Sequence, residues 1–311
     1  MAHQYHNWQA ANLAAIQQRL AWLQEQPDGI IFCQPSGSQY VVVRKNRCKI
    51  RVALVDKIKL QTDLVQSVFY FDNPFYLVSE YTQAMMLSLV WQNAPKKVYI
   101  AGFGGGRIPF ILHHYFPEVT IECAEIDSTT IAVATKFFGV QLDERLKVTI
   151  QDGREFLEQQ TPEIRYDIIM LDAFFGNGYL PYKLTTKEFY QLCEQHLTES
   201  GILVANFLQR DQFYPEQVKT IQSVFSQVSV CLWKNFNSVI FATSSGLISE
   251  DEILVRANSL QEQYQFPFPL LERVKEVKVG KEWAECLPNW EQAEILRDHS
   301  PPEGYFNCWL F

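Results

Sequence analysis

Between residues 96 and 243, short apolar runs recur at regular intervals, each followed by a stretch of helical composition. The runs are Val98–Ala101, Thr120–Ala124, Lys147–Gln151, Asp167–Leu171 and Ile202–Asn206. Strands this apolar, alternating with helices, predict a mostly parallel sheet covered on both faces. The last two β runs, Val228–Trp233 and Ser238–Ala242, are separated only by Lys234-Asn235-Phe236-Asn237. A parallel crossover needs roughly a dozen residues, so this pair can only be an antiparallel hairpin. The expected fold class is therefore α/β, a parallel sheet with a terminal antiparallel hairpin.

The flanks read differently. Residues 28–78 hold β-rich runs at Ile30–Cys33, Tyr40–Arg44, Cys48–Val55 and Ser67–Phe71, broken by turn signals such as Pro35-Ser36-Gly37-Ser38. They predict a small antiparallel sheet of hairpins. Residues 8–23 repeat apolar groups at helical spacing (Trp8, Leu13, Ile16, Leu20, Leu23), and residues 79–92 are expected to form one helix. Thr185-x-x-Glu188 and Ser249-x-x-Glu252 have the form of capping boxes. Three regions follow: 1–92, an N-terminal helix and β domain; 93–245, a Rossmann-like catalytic domain; and 246–311, a C-terminal helical extension packed on the body. A formal charge of −8 argues against a general nucleic-acid binder. The basic run Arg44, Lys45, Arg47, Lys49 and Arg51 reads as a solvated strand face. No secretory leader or membrane span is expected. Seven scattered cysteines without Cys-x-x-Cys spacing fit free thiols in a cytoplasmic protein, and no His/Cys cluster suggests a metal.

Four features could carry chemistry. The loop Gly102-Phe103-Gly104-Gly105-Gly106-Arg107 follows a strand and opens a helix. Its glycines allow positive φ and close approach of a ligand, and the helix start offers free N–H groups. Read as G-x-G-x-x-G, the third glycine position holds Arg107, which favours a nucleotide lacking a pyrophosphate over NAD. Glu125 ends the second strand, where a carboxylate can accept both hydroxyls of a ribose. Its neighbour Asp127 reads as a helix cap. Asp152 ends the third strand and could accept from an adenine amino group, cap the helix beginning at Gly153, or do both. Asp172 ends the fourth strand, where it could take a proton from an attacking amine or stabilise a sulfonium charge. The stretch Ala173–Tyr182 after it, with Phe175 and Tyr179, has the composition of a lid over a substrate.

With SEYTQAMM, the glycine loop, AEID, QDGREF, LDAFFG and GILVANF in hand, the chain resembles the spermidine synthase family and its methyltransferase-like relatives, from about Gln66 to Thr243. The resemblance implies a Rossmann-like methyltransferase fold beside an N-terminal β domain often used for dimerisation, so a homodimer is expected. It implies that Gly102, Gly104, Gly106, Glu125, Asp152 and Gly153 bind S-adenosylmethionine or its decarboxylated form, with no metal. Asp172 would be the catalytic acid/base. Tyr81, Gln83, Phe175 and Tyr179 would contact the acceptor, a small-molecule or protein amine. Three positions depart from the family pattern: a tyrosine expected near the acceptor falls on Thr82, with Tyr81 and Gln83 alongside, and two acids are missing. Gly105 stands where an aspartate would grip the decarboxylated donor's amine, and Phe175 stands where a second acid would hold a diamine. Unpaired buried charge is costly, so these losses turn the expectation from polyamine synthesis toward methyl transfer. A divergent aminopropyltransferase is the alternative, and a non-catalytic nucleotide-binding homologue the second alternative.

Overall fold

The computed structural model describes residues 2–57, 63–174, 180–232, 237–246 and 248–306 of the 311-residue chain. An N-terminal helix, α1 (Ala2–Glu25), precedes four strands: β1 (Gly29–Ser36), β2 (Gln39–Asn46), β3 (Lys49–Asp56) and β4 (Asp63–Tyr70). They form an antiparallel sheet in the order β1-β2-β3-β4. The helical spacing read from residues 8–23 buries Ile16, Leu20 and Leu23 of α1. The expected helix over 79–92 is broken into α2 (Glu80–Met85) and α3 (Ser88–Trp91). Every residue from Thr82 to Val90 is buried, so packing on all sides, not one apolar stripe, sets the backbone path. The basic run is not simply a solvated face. Lys45 is 7% exposed and its ammonium pairs with Asp28 at 2.9 Å.

The larger sheet follows as β5 (Lys97–Ala101), α4 (Arg107–Tyr115), β6 (Thr120–Glu125), α5 (Ser128–Phe137), β7 (Leu146–Ile150), α6 (Gly153–Glu158) and β8 (Tyr166–Leu171). The chain then adds α7 (Lys187–Gln195), β9 (Leu197–Leu208), α8 (Tyr214–Gln222), β10 (Gln227–Leu232) and β11 (Asn237–Thr243). After α9 (Glu250–Tyr264) and α10 (Leu270–Val274), a two-residue strand β12 (Val277–Lys278) joins the edge. Thus residues 246–311 supply helices but also a strand. The sheet order is β12-β10-β11-β9-β8-β5-β6-β7. β5, β6, β7, β8 and β9 are parallel, while β11 runs antiparallel to β9 and β10 antiparallel to β11.

Alternate residues of each central strand feed two cores. Val98, Ile100, Ile168 and Met170 join a core shared with α1, α4, α5 and the small sheet. Tyr99, Ala101, Ile169 and Leu171 join the other, with α7 and α8. That period of two on a sheet buried on both faces produces the continuous apolar runs seen in the sequence. The chain winds outward from β5 to β7, then returns to the other side of β5 through β8. This reversal opens a crevice at the carboxyl ends of β5 and β8, where open α/β sheets bind ligands.

One cap shifts by a residue from expectation. Thr186, not Thr185, caps α7 by accepting from the Phe189 N–H, and Glu188 instead accepts from the Asp298 N–H at 3.1 Å. Ser249 caps α9 as read, accepting from Glu252 N–H. No helix among the described residues is long and apolar enough to cross a membrane, and no His/Cys/Asp/Glu group there could hold a metal.

Candidate active site

A cavity of about 730 Å³ lies over the carboxyl ends of β5, β6 and β8, with the small sheet as its far wall. This is within the usual ~300–1,000 Å³ of a small-molecule site. Its lining includes Gly102, Gly104, Glu125, Asp152, Gly153 and Asp172, so the fold brings five of the six expected donor residues together with the expected catalytic acid, while Gly106 is not among the lining residues.

The glycine loop has a steric cause at each end. Gly102 has φ of 95°, and a Cβ there would lie 2.4 Å from the Asp172 carbonyl oxygen. The two strand ends can therefore approach only through a glycine. Gly106, at φ 65°, is the N-cap of α4. Between them, the Phe103 N–H donates to Glu125 Oε2 at 3.1 Å, and the Asp127 N–H donates to Glu125 Oε1 at 3.0 Å. Burial pushes the Glu125 carboxyl up, and the backbone donors Asp127, Phe103 and Gly104 pull against that shift. Each carboxylate oxygen retains acceptor capacity beyond its backbone bond, enough for two hydroxyls of a ribose.

Asp127 is a cap, as read: it accepts from the Thr129 N–H at 2.8 Å and from the Ser36 hydroxyl at 2.7 Å, tying the β1–β2 turn to α5. Asp152 caps α6 through the N–H groups of Arg154 and Glu155. Its other oxygen, Oδ2, pairs with the Lys183 ammonium at 2.9 Å. The cap is present, and acceptor capacity remains for an adenine amino group.

Asp172 is the most perturbed acid of the site. Burial raises its carboxyl to about 7, against opposing hydrogen bonds from Asn206 and Tyr81. Asn206 Nδ2 donates to Asp172 Oδ1 at 2.8 Å, and Asn237 Nδ2 donates to Asn206 Oδ1 at 2.8 Å. The Tyr81 hydroxyl, held protonated by burial and by Asp172, lines the same cavity. Gln83 lies behind this wall: it is 2% exposed and its amide donates to the Leu77 carbonyl at 2.6 Å. Phe175 and Tyr179 lie outside the described residues.

Sequence reasoning did not single out Asn206, Asn237, Ser67 or Lys183. One signal was available: Asn206 is the polar residue in the apolar run ILVANF, and an amide 1% exposed in a central strand must have partners. Ser67, on β4, carried no such mark. Its Oγ accepts from the Gly105 N–H at 3.0 Å, and a Cβ on Gly105 would lie 2.5 Å from the Ser67 Cβ.

The segment after the expected lid is braced from the C-terminal end. Arg154 of α6 forms paired bonds of 2.6 and 2.7 Å to Asp298, which also accepts from the Thr186 hydroxyl at 2.7 Å. Tyr182 donates to the Arg297 carbonyl at 2.6 Å, and Tyr305 stacks on Phe213. The aromatic C-terminal stretch thus packs on the body through Tyr305; residues 307–311 lie outside the described residues.

Residues 78–244 match the Spermine/spermidine synthase domain. Over 231 residues, 71% of this chain and 73% of the relative, the sequence is 29% identical to the polyamine aminopropyltransferase of Vibrio vulnificus. It is 28% identical over 211 residues, 62% of this chain, to the eEF1A lysine and N-terminal methyltransferase of Bos taurus, a match spanning only 30% of that protein. Among solved structures, human Methyltransferase-like protein 13 in complex with SAH superposes with a TM-score of 0.55 at 25% identity, covering 61% of this chain and 94% of that one.

Proposed function

The chain belongs to the spermine/spermidine synthase domain family, and within it we propose a methyltransferase that uses S-adenosylmethionine and acts on an amine or another nucleophile. The carrying observation is Ser67 against Gly105. A carboxylate that would grip the amine of a decarboxylated donor has no room there, because the space for any side chain is filled from β4. The bovine relative is named for protein lysine and N-terminal modification, and a protein amine is the acceptor class carried over here.

The residues present fit an adenosyl donor. Glu125 would hold the ribose, Asp152 and Gly153 would border the adenine, and Gly102 and Gly104 would pass beneath the donor without side chains. S-adenosylmethionine supplies a methyl group on an electron-poor sulfonium. What the chain would supply is a base: an amine that gains a fourth bond at nitrogen must release a proton, and Asp172 is the group proposed to take it. A carboxyl near 7 is a far better proton acceptor than an ordinary aspartate yet remains substantially ionised at neutral pH. Tyr81 and Asn206 hydrogen-bond the carboxylate, and Ile100 and Phe174 add apolar surface to the same cavity. Tyr81, Phe175 and Tyr179 are proposed to face the acceptor, and Gln83 to support that wall from behind. A homodimer through the edge strand β1, where Ile30 is 54% exposed, and a cytoplasmic setting suited to the free thiols complete the reading.

The likeness to the Vibrio vulnificus aminopropyltransferase over most of its length supports one competing reading, aminopropyl transfer. Calorimetry with S-adenosylmethionine, decarboxylated S-adenosylmethionine and NAD separates the readings. Tightest binding of S-adenosylmethionine, with methyl transfer to an amine panel, is expected; preference for the decarboxylated donor would replace the methyltransferase reading with the aminopropyl one.

A further inference from the structure

We propose that Asn237 is a positioning residue: it sets the direction of the Asn206 amide, so that an N–H and not a carbonyl oxygen faces the Asp172 carboxylate. The inference rests on the base role read for Asp172 above and adds to it a residue that acts on that base without touching it.

Sheet register assembles the three side chains. β8 and β9 run parallel with Leu171 beside Ala205, so Asp172 and Asn206, the next residue of each, are neighbours. β11 runs antiparallel to β9 with Val239 beside Asn206, which puts Asn237 diagonally across from it on the same face. Met170, Val204 and Val239, each two residues from one of the three, all belong to the core on that face. Asn237 Nδ2 donates to Asn206 Oδ1, and Asn206 Nδ2 donates to Asp172 Oδ1, both at 2.8 Å. The Gln209 amide donates to the Asn237 carbonyl at 3.0 Å, which ties the start of β11 to the chain leaving β9. Asn206 is 1% exposed, so its partners must come from the protein.

An amide has nearly the same outline either way round, so packing cannot choose its direction; the donors and acceptors around it do. Asp172 alone does not settle the matter. Ionised, it accepts from an N–H of Asn206; protonated, it could instead donate to the Asn206 carbonyl oxygen. An N–H from Asn237 on that oxygen holds the first arrangement, which favours the charged carboxylate. Tyr81, from α2, is the titratable group that also bonds Asp172. Glu125 from β6, Asp152 after β7 and Arg107 of α4 line the same cavity.

The test reads Asp172 directly, by carboxyl 13C NMR on the full chain with labelled aspartate, its signal being the one lost in Asp172→Asn. Asn206→Leu removes the bond to the carboxylate and should raise the Asp172 pKa by about 1–2 units; Asn206→Ala stands in where leucine does not fold. Asn237→Ala, which leaves Asn206 free to turn, should raise it by about 0.5–1 unit. Asn237→Asp keeps the size but removes the donor. A carboxylate at 237 can only accept, so it draws the Asn206 N–H groups toward itself and should raise the pKa more than alanine does. In a chain already lacking the Asn206 amide, Asn237→Ala should shift Asp172 by less than about 0.3 unit, because the effect passes through Asn206. The ascending limb of the kcat–pH profile for methyl transfer should move with the titration, at little change in KM. An Asp172 titration unmoved by Asn237→Ala, or moved equally with and without the Asn206 amide, overturns the role of Asn237 alone. The expected NMR shifts without any methyl transfer from S-adenosylmethionine would support the positioning role and overturn the methyltransferase reading.

Discussion

The two walls of the cavity are built by different means. The donor wall is backbone: Gly102 lets two strand ends touch, and the Phe103 and Asp127 N–H groups aim Glu125. The acceptor wall is side chains from distant stretches: Tyr81 from α2 and Asn206 from β9 bond the Asp172 carboxylate after β8, and Asn237 from β11 holds Asn206. A backbone-built wall tolerates change on its surface but not in its glycines. A side-chain wall can be retuned residue by residue, which is how one fold can keep a donor and change its chemistry.

The largest expected effect breaks the acceptor wall at its centre. Asp172→Asn should cut turnover about 10²- to 10⁴-fold, the usual worth of a positioned base, while S-adenosylmethionine affinity changes little. The same variant should be more stable than wild type. The Asp172 carboxyl rises from 3.8 to about 7 on folding, so the native state binds its proton more tightly than the unfolded chain does. Its contribution to stability therefore falls as pH rises from about 4 through about 7, then levels off. Asparagine removes that penalty, so the variant should gain on the order of 2–4 kcal/mol above about pH 7 and nothing below about pH 4. Denaturant melts at several pH values, beside single-turnover rates, check both halves. Unchanged turnover would take Asp172 out of its role.

A smaller effect is expected on the donor wall. Gly105→Asp would set its Cβ 2.5 Å from the Ser67 Cβ and 2.7 Å from its Oγ, on a β4 strand that cannot easily retreat. Overpacking of that kind costs about 1–3 kcal/mol, and Ser67→Gly in the same chain should return part of it. Thermal melts of the single and double variants measure the coupling directly. A single variant that melts like wild type and prefers the decarboxylated donor would mean that Ser67 does not guard the loop.

The contrast between the walls also sets what was legible in the sequence. Strands, helices and hairpin followed from periodicity because the sheet is buried on both faces and its runs are uniformly apolar. Glu125, Asp152 and Asp172 were legible because an acid closing an apolar run falls at a strand end, and parallel strand ends share one crevice. The break at 86–87 between α2 and α3 was not, since a segment buried on every side has no periodic stripe to read. Nor was the Ser67–Gly105 contact, between a strand of the small sheet and the loop after β5, neither residue unusual in its own neighbourhood. Arg107 stood out only as a misfit in a glycine fingerprint; its burial between two rings becomes visible only when Phe69, Pro74 and Phe110 are in place around it.

The smallest expected effect separates tuning from contact on the acceptor wall. The Tyr81 hydroxyl donates to the Asp172 carboxylate and so favours its charged form, though less than Asn206 does. Tyr81→Phe removes that bond and should raise the Asp172 pKa further. Because the base works only when ionised, the ascending limb of the kcat–pH profile should move to higher pH. One hydrogen bond corresponds to a shift of about 0.4–1 unit. A Tyr81 that only touched the acceptor would alter KM at every pH and leave the limb in place. A limb that moves toward lower pH would contradict the bond itself, since losing a donor cannot ease the ionisation of the carboxyl it served.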